Sequence, residues 1–364
     1  MEDIIFIDGN EAVGWGALAA GCDAFYGYPV TPQNNIGEWF AREFPKRGKV
    51  FAQTSSEVAS INWLLGGATV GGRVITSTSG PGWPLMQETI SHIVNCEVPC
   101  VIVLVQRGGP GQGTTRHGQM DYASATLGGG NGGYKNIVLA PYSAQEVHDL
   151  VQIAFHLADK YRNPVVVLSD GIIGTTMEPV ELRSLEFEEL PEKDWALRGR
   201  GKQKGKKRNL LSCGQGLMPT PRNPSYLALL NTLNDKFNKM EREEVLSESH
   251  NLDDAELVVV SYGYSARVSI EAMWLARAED LKVGMIRPIT VWPFPYDVIR
   301  SEYKKGKKFL VVEDSLGQML VDVRMACDYE TEIGLISCLD RHEEREGGVI
   351  FPEKVLQKIK MMLA

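Results

Sequence analysis

No two cysteines of this 364-residue chain stand in a C-x-x-C arrangement. The six present (Cys22, Cys96, Cys100, Cys213, Cys327 and Cys338) are scattered. This spacing excludes a ferredoxin-type cluster run and reads as ordinary thiols in a reducing, cytoplasmic compartment. If the protein takes part in electron transfer, the redox metal sits on another chain. No window of about 18 apolar residues occurs, so a membrane span is not expected. The opening "MEDIIFIDGNEAV" carries acids early and no basic stretch before a long apolar run, unlike a secretory signal. An excess of positive charge is missing too. A formal charge of −8 argues against a general nucleic-acid binder but leaves small anionic substrates open. The P-loop spacing, the dinucleotide G-x-G-x-x-G after a first strand, the G-x-S-x-G elbow and any metal-ligating constellation are all absent.

What is present is the composition of a soluble globular protein, 43% hydrophobic and 23% charged, long enough for two domains. From Cys22 to Asp170 short runs such as "CDAFYGY", "VFAQT", "RVITSTS", "CVIVLVQ", "NIVLA" and "PVVVLSD" alternate with helical patterns. This βαβα order predicts a largely parallel sheet covered by helices, and the near-continuous apolar strands predict burial on both faces. Ser55 or Ser56 before Glu57, and Ser143 before Glu146, read as helix caps; Gly21 reads as a helix terminator. After Asp170 the pattern breaks. Seven basic residues lie from Arg198 to Arg208 among glycines and prolines, either a solvated linker or a docking strip for an acidic partner such as ferredoxin. A second α/β unit follows, with strands in "AELVVVSYGY", "LKVGMIRP" and "KKFLVVED" and a closing amphipathic helix in "FPEKVLQKIKMML". The expected division is residues 1–188, a linker over 189–222, and 223–364.

Three stretches could carry chemistry. In "GYPVTPQNN", Pro29 and Pro32 stiffen the turn from strand to helix around Thr31. Thr31 either caps the helix or presents its hydroxyl where ligands of open α/β sheets collect. Glu57 opens a helix, where the dipole favours a carboxylate, and helix-start acids are common without catalysis. In "VQRGGPGQGTTRHGQMD", Arg107 follows an apolar strand and Arg116 follows the glycines; both are forks suited to a carboxylate. His117 has no evident fixed partner and reads as loop lining or substrate contact. "SDGIIG" lacks the first glycine of the Gly-Asp-Gly motif that binds Mg²⁺ and diphosphate, and the later asparagine, so the diphosphate site is missing.

Taken in order, "GNEAVGWGALAAGCDAFYGYPVTPQNNI", "SSEVASINWLLGGATVGGRVITSTSGPGWPLMQE", "VQRGGPGQG" and "GGGNGGYKNIVLAPYSAQEV" resemble the α subunit of the 2-oxoacid:ferredoxin oxidoreductases. The likeness continues through "VGMIRPITVWPFP" and "VVEDSLGQMLVDVRMAC". It implies a thiamine-diphosphate-binding (pyrimidine-type) doubly wound parallel sheet, followed by a smaller transketolase-C-like α/β domain. It implies a β subunit holding the diphosphate tail, Mg²⁺ and a [4Fe–4S] cluster, with γ and ferredoxin-like δ subunits, ferredoxin as acceptor and coenzyme A as cosubstrate. Glu57 would bond the ring nitrogen of the cofactor's aminopyrimidine and favour the imino tautomer, which takes the thiazolium C2 proton. Sharing a proton suits a buried acid, so burial would have to oppose the helix dipole. Pro29 and Gly80 would line the cofactor. Thr31 and Arg107 would contact the substrate carboxylate, with Arg116 and His117 nearby. The loop "GGPGQG" and "DYASATLGGGNGGY" look closer to the branched-chain 2-oxoisovalerate type, whereas Arg116 and His117 could serve the second carboxylate of 2-oxoglutarate. A non-oxidative thiamine-dependent transferase and a non-catalytic scaffold subunit are the other readings.

Overall fold

A strand buried on both faces needs apolar side chains at successive positions, and "CVIVLVQ" supplies them. In the computed structural model, which describes residues 3–197, 226–329, 332–341 and 348–364, Cys100, Ile102 and Leu104 enter one hydrophobic cluster. Val101, Val103 and Val105 enter another on the opposite face. The strip from Arg198 to Arg208 lies outside the described residues.

In chain order the elements are β1 (Asp3–Asp8), α1 (Gly9–Ala19), β2 (Ala24–Gly27), α2 (Asn34–Glu43), β3 (Val50–Gln53), α3 (Glu57–Thr69), β4 (Val74–Ser79) and α4 (Gly82–Asn95). Next come β5 (Cys100–Gln106), α5 (Tyr122–Thr126), β6 (Ile137–Leu139), α6 (Ala144–Tyr161), β7 (Pro164–Asp170), α7 (Gly171–Thr175) and β8 (Met177–Leu182). The second half contains α8 (Tyr226–Glu243), β9 (Ser247–His250), β10 (Leu257–Ser261), α9 (Gly263–Ala278), β11 (Val283–Pro288) and β12 (Thr290–Trp292). It ends with α10 (Tyr296–Lys304), β13 (Lys308–Val312), α11 (Gln318–Ala326), β14 (Ile333–Ile336) and α12 (Pro352–Leu363).

The first sheet runs β12-β6-β7-β5-β4-β2-β3. Its pairings are parallel except for β12, which lies antiparallel to β6. Helices α1, α2 and α6 cover one face, and α3 and α4 the other: the doubly wound arrangement. Phe25, stacked on Phe40 at 4.4 Å, anchors α2; truncating such a core aromatic typically costs about 3–5 kcal/mol. The second sheet, β14-β13-β10-β11-β9, is parallel apart from β9.

The caps form where the sequence places them. Ser56 Oγ accepts from the Ala59 N–H at 3.2 Å, and Ser143 Oγ from the Glu146 N–H at 3.2 Å. Gly21 takes φ +73° just beyond α1, a conformation that favours glycine.

The two halves are fused more closely than a linked pair. Val166 and Leu168 of β7 share one cluster with Val258, Val260, Phe309 and Val311 of the second sheet. Strand β12, from the second half, covers the short strand β6 that would otherwise be an exposed edge.

Candidate active site

The carboxyl ends of β2, β4 and β5 are neighbours in the sheet, so the turns leaving them converge. Thr31 follows β2, Gly80 and Gly82 follow β4, and Arg107 follows β5. Arg107 Nη1 donates to the Thr31 carbonyl oxygen at 2.8 Å, and Nη2 to the Gln112 carbonyl oxygen at 2.8 Å. One guanidinium thus ties the proline-flanked turn to the glycine-rich loop. Its side chain lies against Gly80, where a Cβ would come within 3.0 Å of Arg107 Cγ. Arg107 is buried and its Nε has no partner among the described residues.

The turn around Thr31 is held from four sides. Asn10 Nδ2 donates to the Pro32 carbonyl oxygen at 2.9 Å, and Gln33 Nε2 to that of Tyr28 at 2.9 Å. Ser77 Oγ bonds Gln33 Oε1 at 2.6 Å, and Arg107 completes the set. Thr31 itself is exposed, and its hydroxyl makes only a long contact of 3.4 Å from Asn34 Nδ2. It does not cap α2: the capping position is Gln33, without a side-chain cap. The Thr31 hydroxyl is thus exposed on a braced turn.

Glu57 opens α3 and is only 8% exposed, with no hydrogen-bond partner among the described residues. Its carboxylate points at the start of α4. A Cβ on Gly82 would lie 2.7 Å from Glu57 Oε1 and 2.3 Å from Thr78 Oγ1, so only glycine lets these two side chains pack this close. The Thr78 hydroxyl is buried and also unpartnered.

The remaining candidates divide. His117 is half-buried beside Pro32 and Gly171: a Cβ on Gly171 would lie 3.3 Å from both His117 Nδ1 and Pro32 Cγ. Burial lowers the His117 pKa, with Asp314 opposing. Arg116 is exposed, and its guanidinium has no hydrogen bond or ion pair among the described residues. Pro29 lines a separate cavity of about 260 Å³ with Tyr28, Gln33, Asn34, Glu38 and Gln53. Thr31, Glu57 and Arg107 do not line that cavity. Asp170 of "SDGIIG" caps α7, accepting from the Ile172 and Ile173 N–H groups, and binds the Tyr264 N–H at 2.9 Å.

Among known families, residues 15–244 match the model described as pyruvate flavodoxin/ferredoxin oxidoreductase, thiamine diphosphate-binding. Residues 255–353 match pyruvate:ferredoxin oxidoreductase core domain II. The chain belongs to the 2-oxoacid:ferredoxin oxidoreductase family. It is 42% identical over 354 residues to ketoisovalerate oxidoreductase subunit VorB of Methanothermobacter thermautotrophicus, covering 97% of this chain and 96% of that one. It is 36% identical over 364 residues to 2-oxoglutarate synthase subunit KorA of Methanocaldococcus jannaschii, covering 95% and 99%. Among solved structures it is similar to 2-oxoglutarate:ferredoxin oxidoreductase from Magnetococcus marinus with 2-oxoglutarate, coenzyme A and succinyl-CoA bound. That match has a TM-score of 0.82 and 28% identity, over all of this chain and 66% of the solved one. A split gene transketolase, at 14% identity and TM-score 0.57, shares the fold. No helix among the described residues of this oxidoreductase subunit is long and apolar enough to cross a membrane.

Several residues around the candidate site escape a reading of the sequence. Asn10 and Gln33 look like ordinary helix-start polar residues. Asp121, just before α5, is half-buried; its Oδ2 has no partner among the described residues. Burial pushes its carboxyl up to about 6, against the pull of the Arg107 backbone N–H and guanidinium. A carboxyl raised in the folded state contributes stability that is full below its ordinary value and is lost as pH rises to about 6. Asp121→Asn is therefore expected to gain stability over the parent at pH 7 but not at pH 4, by about 3 kcal/mol at most. Urea denaturation of both chains at the two pH values checks this; a gain independent of pH would contradict it.

Proposed function

We propose that this chain is the α subunit of a heteromeric enzyme that oxidatively decarboxylates a branched-chain 2-oxoacid, 2-oxoisovalerate or a close analogue. The balanced reaction takes a 2-oxoacid, coenzyme A and two oxidised ferredoxins to acyl-CoA, CO₂, a proton and two reduced ferredoxins. The observation that carries this reading is the juxtaposition of an unpartnered buried Glu57 with the Thr31–Arg107 pair at adjoining strand ends. The family match and the relatives named above point the same way.

The residues suit thiamine diphosphate. Glu57, with no hydrogen-bond partner among the described residues and packed against Gly82 at the start of α4, offers an acid to an aminopyrimidine ring. When bound beside Glu57, the cofactor would supply a carbon nucleophile and an electron sink. Glu57 holds a proton at the ring nitrogen. Arg107 orients the substrate carboxylate through its free N–H groups, and Thr31 offers a hydroxyl to the same end of the substrate. Such orientation works by geometry, not by stabilising the carboxylate that is to be lost. Gly80 lets Arg107 lie close, and Pro29, on the adjoining cavity, stiffens the turn that carries Thr31.

The rest of the machinery is assigned to other subunits: the diphosphate tail with Mg²⁺ and a [4Fe–4S] cluster on a β subunit, with γ and ferredoxin-like δ subunits completing the complex. The scattered free thiols, Cys22 and Cys100 buried among them, suit a reducing cytoplasm. We keep the division at residues 1–188, 189–222 and 223–364 as the working description of the chain.

One observation favours a second substrate, 2-oxoglutarate: the guanidinium of Arg116, beside His117 and exposed without a partner among the described residues, could take a distal carboxylate. Turnover of the assembled complex on a panel of 2-oxoacids decides. For the branched-chain reading, 2-oxoisovalerate is fastest and Arg116→Ala changes its kcat/KM less than about twofold, as expected for an exposed surface residue. A loss of about tenfold or more on 2-oxoglutarate, the scale of one charge-assisted bond, would favour the second reading. Oxidation of a 2-oxoacid by this chain with thiamine diphosphate alone would overturn the division of labour.

A further inference from the structure

The second half of the chain does more than pack against the first: it grips the substrate loop. Gly118 stands where the glycine-rich loop returns to the sheet. A Cβ there would lie 2.9 Å from Gly108 Cα and 3.1 Å from the Arg107 carbonyl carbon, so the Gly118 backbone rests directly on that of Arg107. Gly108 N–H also donates to the Arg116 carbonyl oxygen at 3.1 Å, pinning the same two segments together.

Both neighbours of Gly118 are held by side chains or backbone from the second half. Arg341 Nη2 donates to the His117 carbonyl oxygen at 3.0 Å. The same guanidinium pairs with Asp314 Oδ1 at 2.6 Å, where Asp314 is fully buried. On the other side, the Gln119 N–H donates to the Asp314 carbonyl oxygen and the Asp314 N–H to Gln119 Oε1, each at 2.8 Å. Gln119 is completed by Ser265 Oγ at 2.8 Å and by its own donation to the Tyr262 carbonyl oxygen at 3.0 Å. Residues 117–119 are thus clamped from both ends, and the segment they clamp lies on Arg107.

We propose that Arg341, with Asp314, is a positioning residue for 2-oxoacid binding: it sets the loop on which Arg107 meets the substrate carboxylate. This rests on Arg107 being the carboxylate-binding residue. Arg341 is already engaged by Asp314 and the His117 carbonyl, so it acts through the loop and not on substrate. A buried ion pair whose one partner also donates to a loop carbonyl has a defined geometry, and losing it lets that carbonyl shift.

The test is steady-state kinetics of the intact complex carrying Arg341→Gln or Arg341→Lys, with the 2-oxoacid and coenzyme A varied in turn. Arg341→Gln is expected to raise the KM for the 2-oxoacid about tenfold, with kcat within about threefold and the KM for coenzyme A within about twofold, since binding geometry is lost before the chemistry. Arg341→Lys keeps the charge but not the fork, and should fall between parent and Gln. In combination with Arg107→Lys, the effect on KM should be less than the product of the two. An unchanged 2-oxoacid KM in a complex that assembles, or equal rises for both substrates, would overturn the proposal and leave the clamp purely structural. If Arg341→Gln does not assemble, the lysine variant decides by the same criterion. A parent complex that turns over no 2-oxoacid is a different result, and refutes the functional reading itself.

Discussion

Glu57→Gln in the assembled complex is expected to lower kcat by about 10²–10⁴, the range typical of a lost general acid–base group. The amide is nearly isosteric and can still meet a ring nitrogen, but it cannot hold and return a proton there. Because Glu57 has no hydrogen-bond partner among the described residues, the substitution breaks no bond among them. What it removes is a charge at the start of α3, which the helix dipole favours by about 0.3–1 kcal/mol. Stability should therefore change by about 1 kcal/mol or less, in contrast with the loss of turnover. A second readout is independent of turnover: solvent deuterium exchange at the thiazolium carbon of the cofactor in the complex should slow by a similar factor. Normal exchange with lost turnover would place the role of Glu57 elsewhere. Retention of more than about a tenth of kcat, far above the range for a lost acid–base group, would contradict that role altogether.

Arg107→Ala should reduce kcat/KM for the 2-oxoacid by about 10²–10³, with most of the effect in KM. Hydrogen bonds to a charged group contribute about 1.5–3 kcal/mol each, and a fork offers two. Here the consequence extends beyond substrate. The guanidinium also satisfies the carbonyls of Thr31 and Gln112, so its removal frees the two loops from each other. Thr31 would then lose its fixed distance from the carboxylate site, and thermal stability should fall as well. Arg107→Lys separates the two functions: a lysine restores the charge but cannot bridge both carbonyls in the same plane. Recovery of KM to the parent value by lysine would show that charge alone suffices. Equal loss in both variants would show that the bridging geometry is what matters.

Much of the architecture is legible in local patterns. "CVIVLVQ" and "PVVVLSD" become β5 and β7 over the same residues, because a strand buried on both faces must be apolar throughout. Ser56 and Ser143 cap helices because their side chains satisfy N–H groups of the first turn that have no other partner. Strands β1 and β12 are not legible. "DIIFID" pairs with residues 169 to 179 positions away, and "TVW" joins a sheet formed by the first half. Neither pairing has a local signature, since a short strand is stabilised by the edge it meets.

The candidate site divides in the same way. The sequence by itself determined the chemical types available: a helix-start acid at Glu57, a fork after a strand at Arg107, and a threonine between two prolines. It did not determine that these three lie together, because each follows a different strand (β2, β3 and β5) and only the order of strands in the sheet brings those ends near one another. Nor did it show that Thr31 is braced by Asn10, Gln33 and Arg107 and left uncapped at its hydroxyl. The grip of Arg341 and Asp314 on residues 117–119 spans about two hundred positions of chain, and is visible only once the shared core of the two sheets is formed. Residue types follow from local chemistry; their distances follow from how buried sheets must pack.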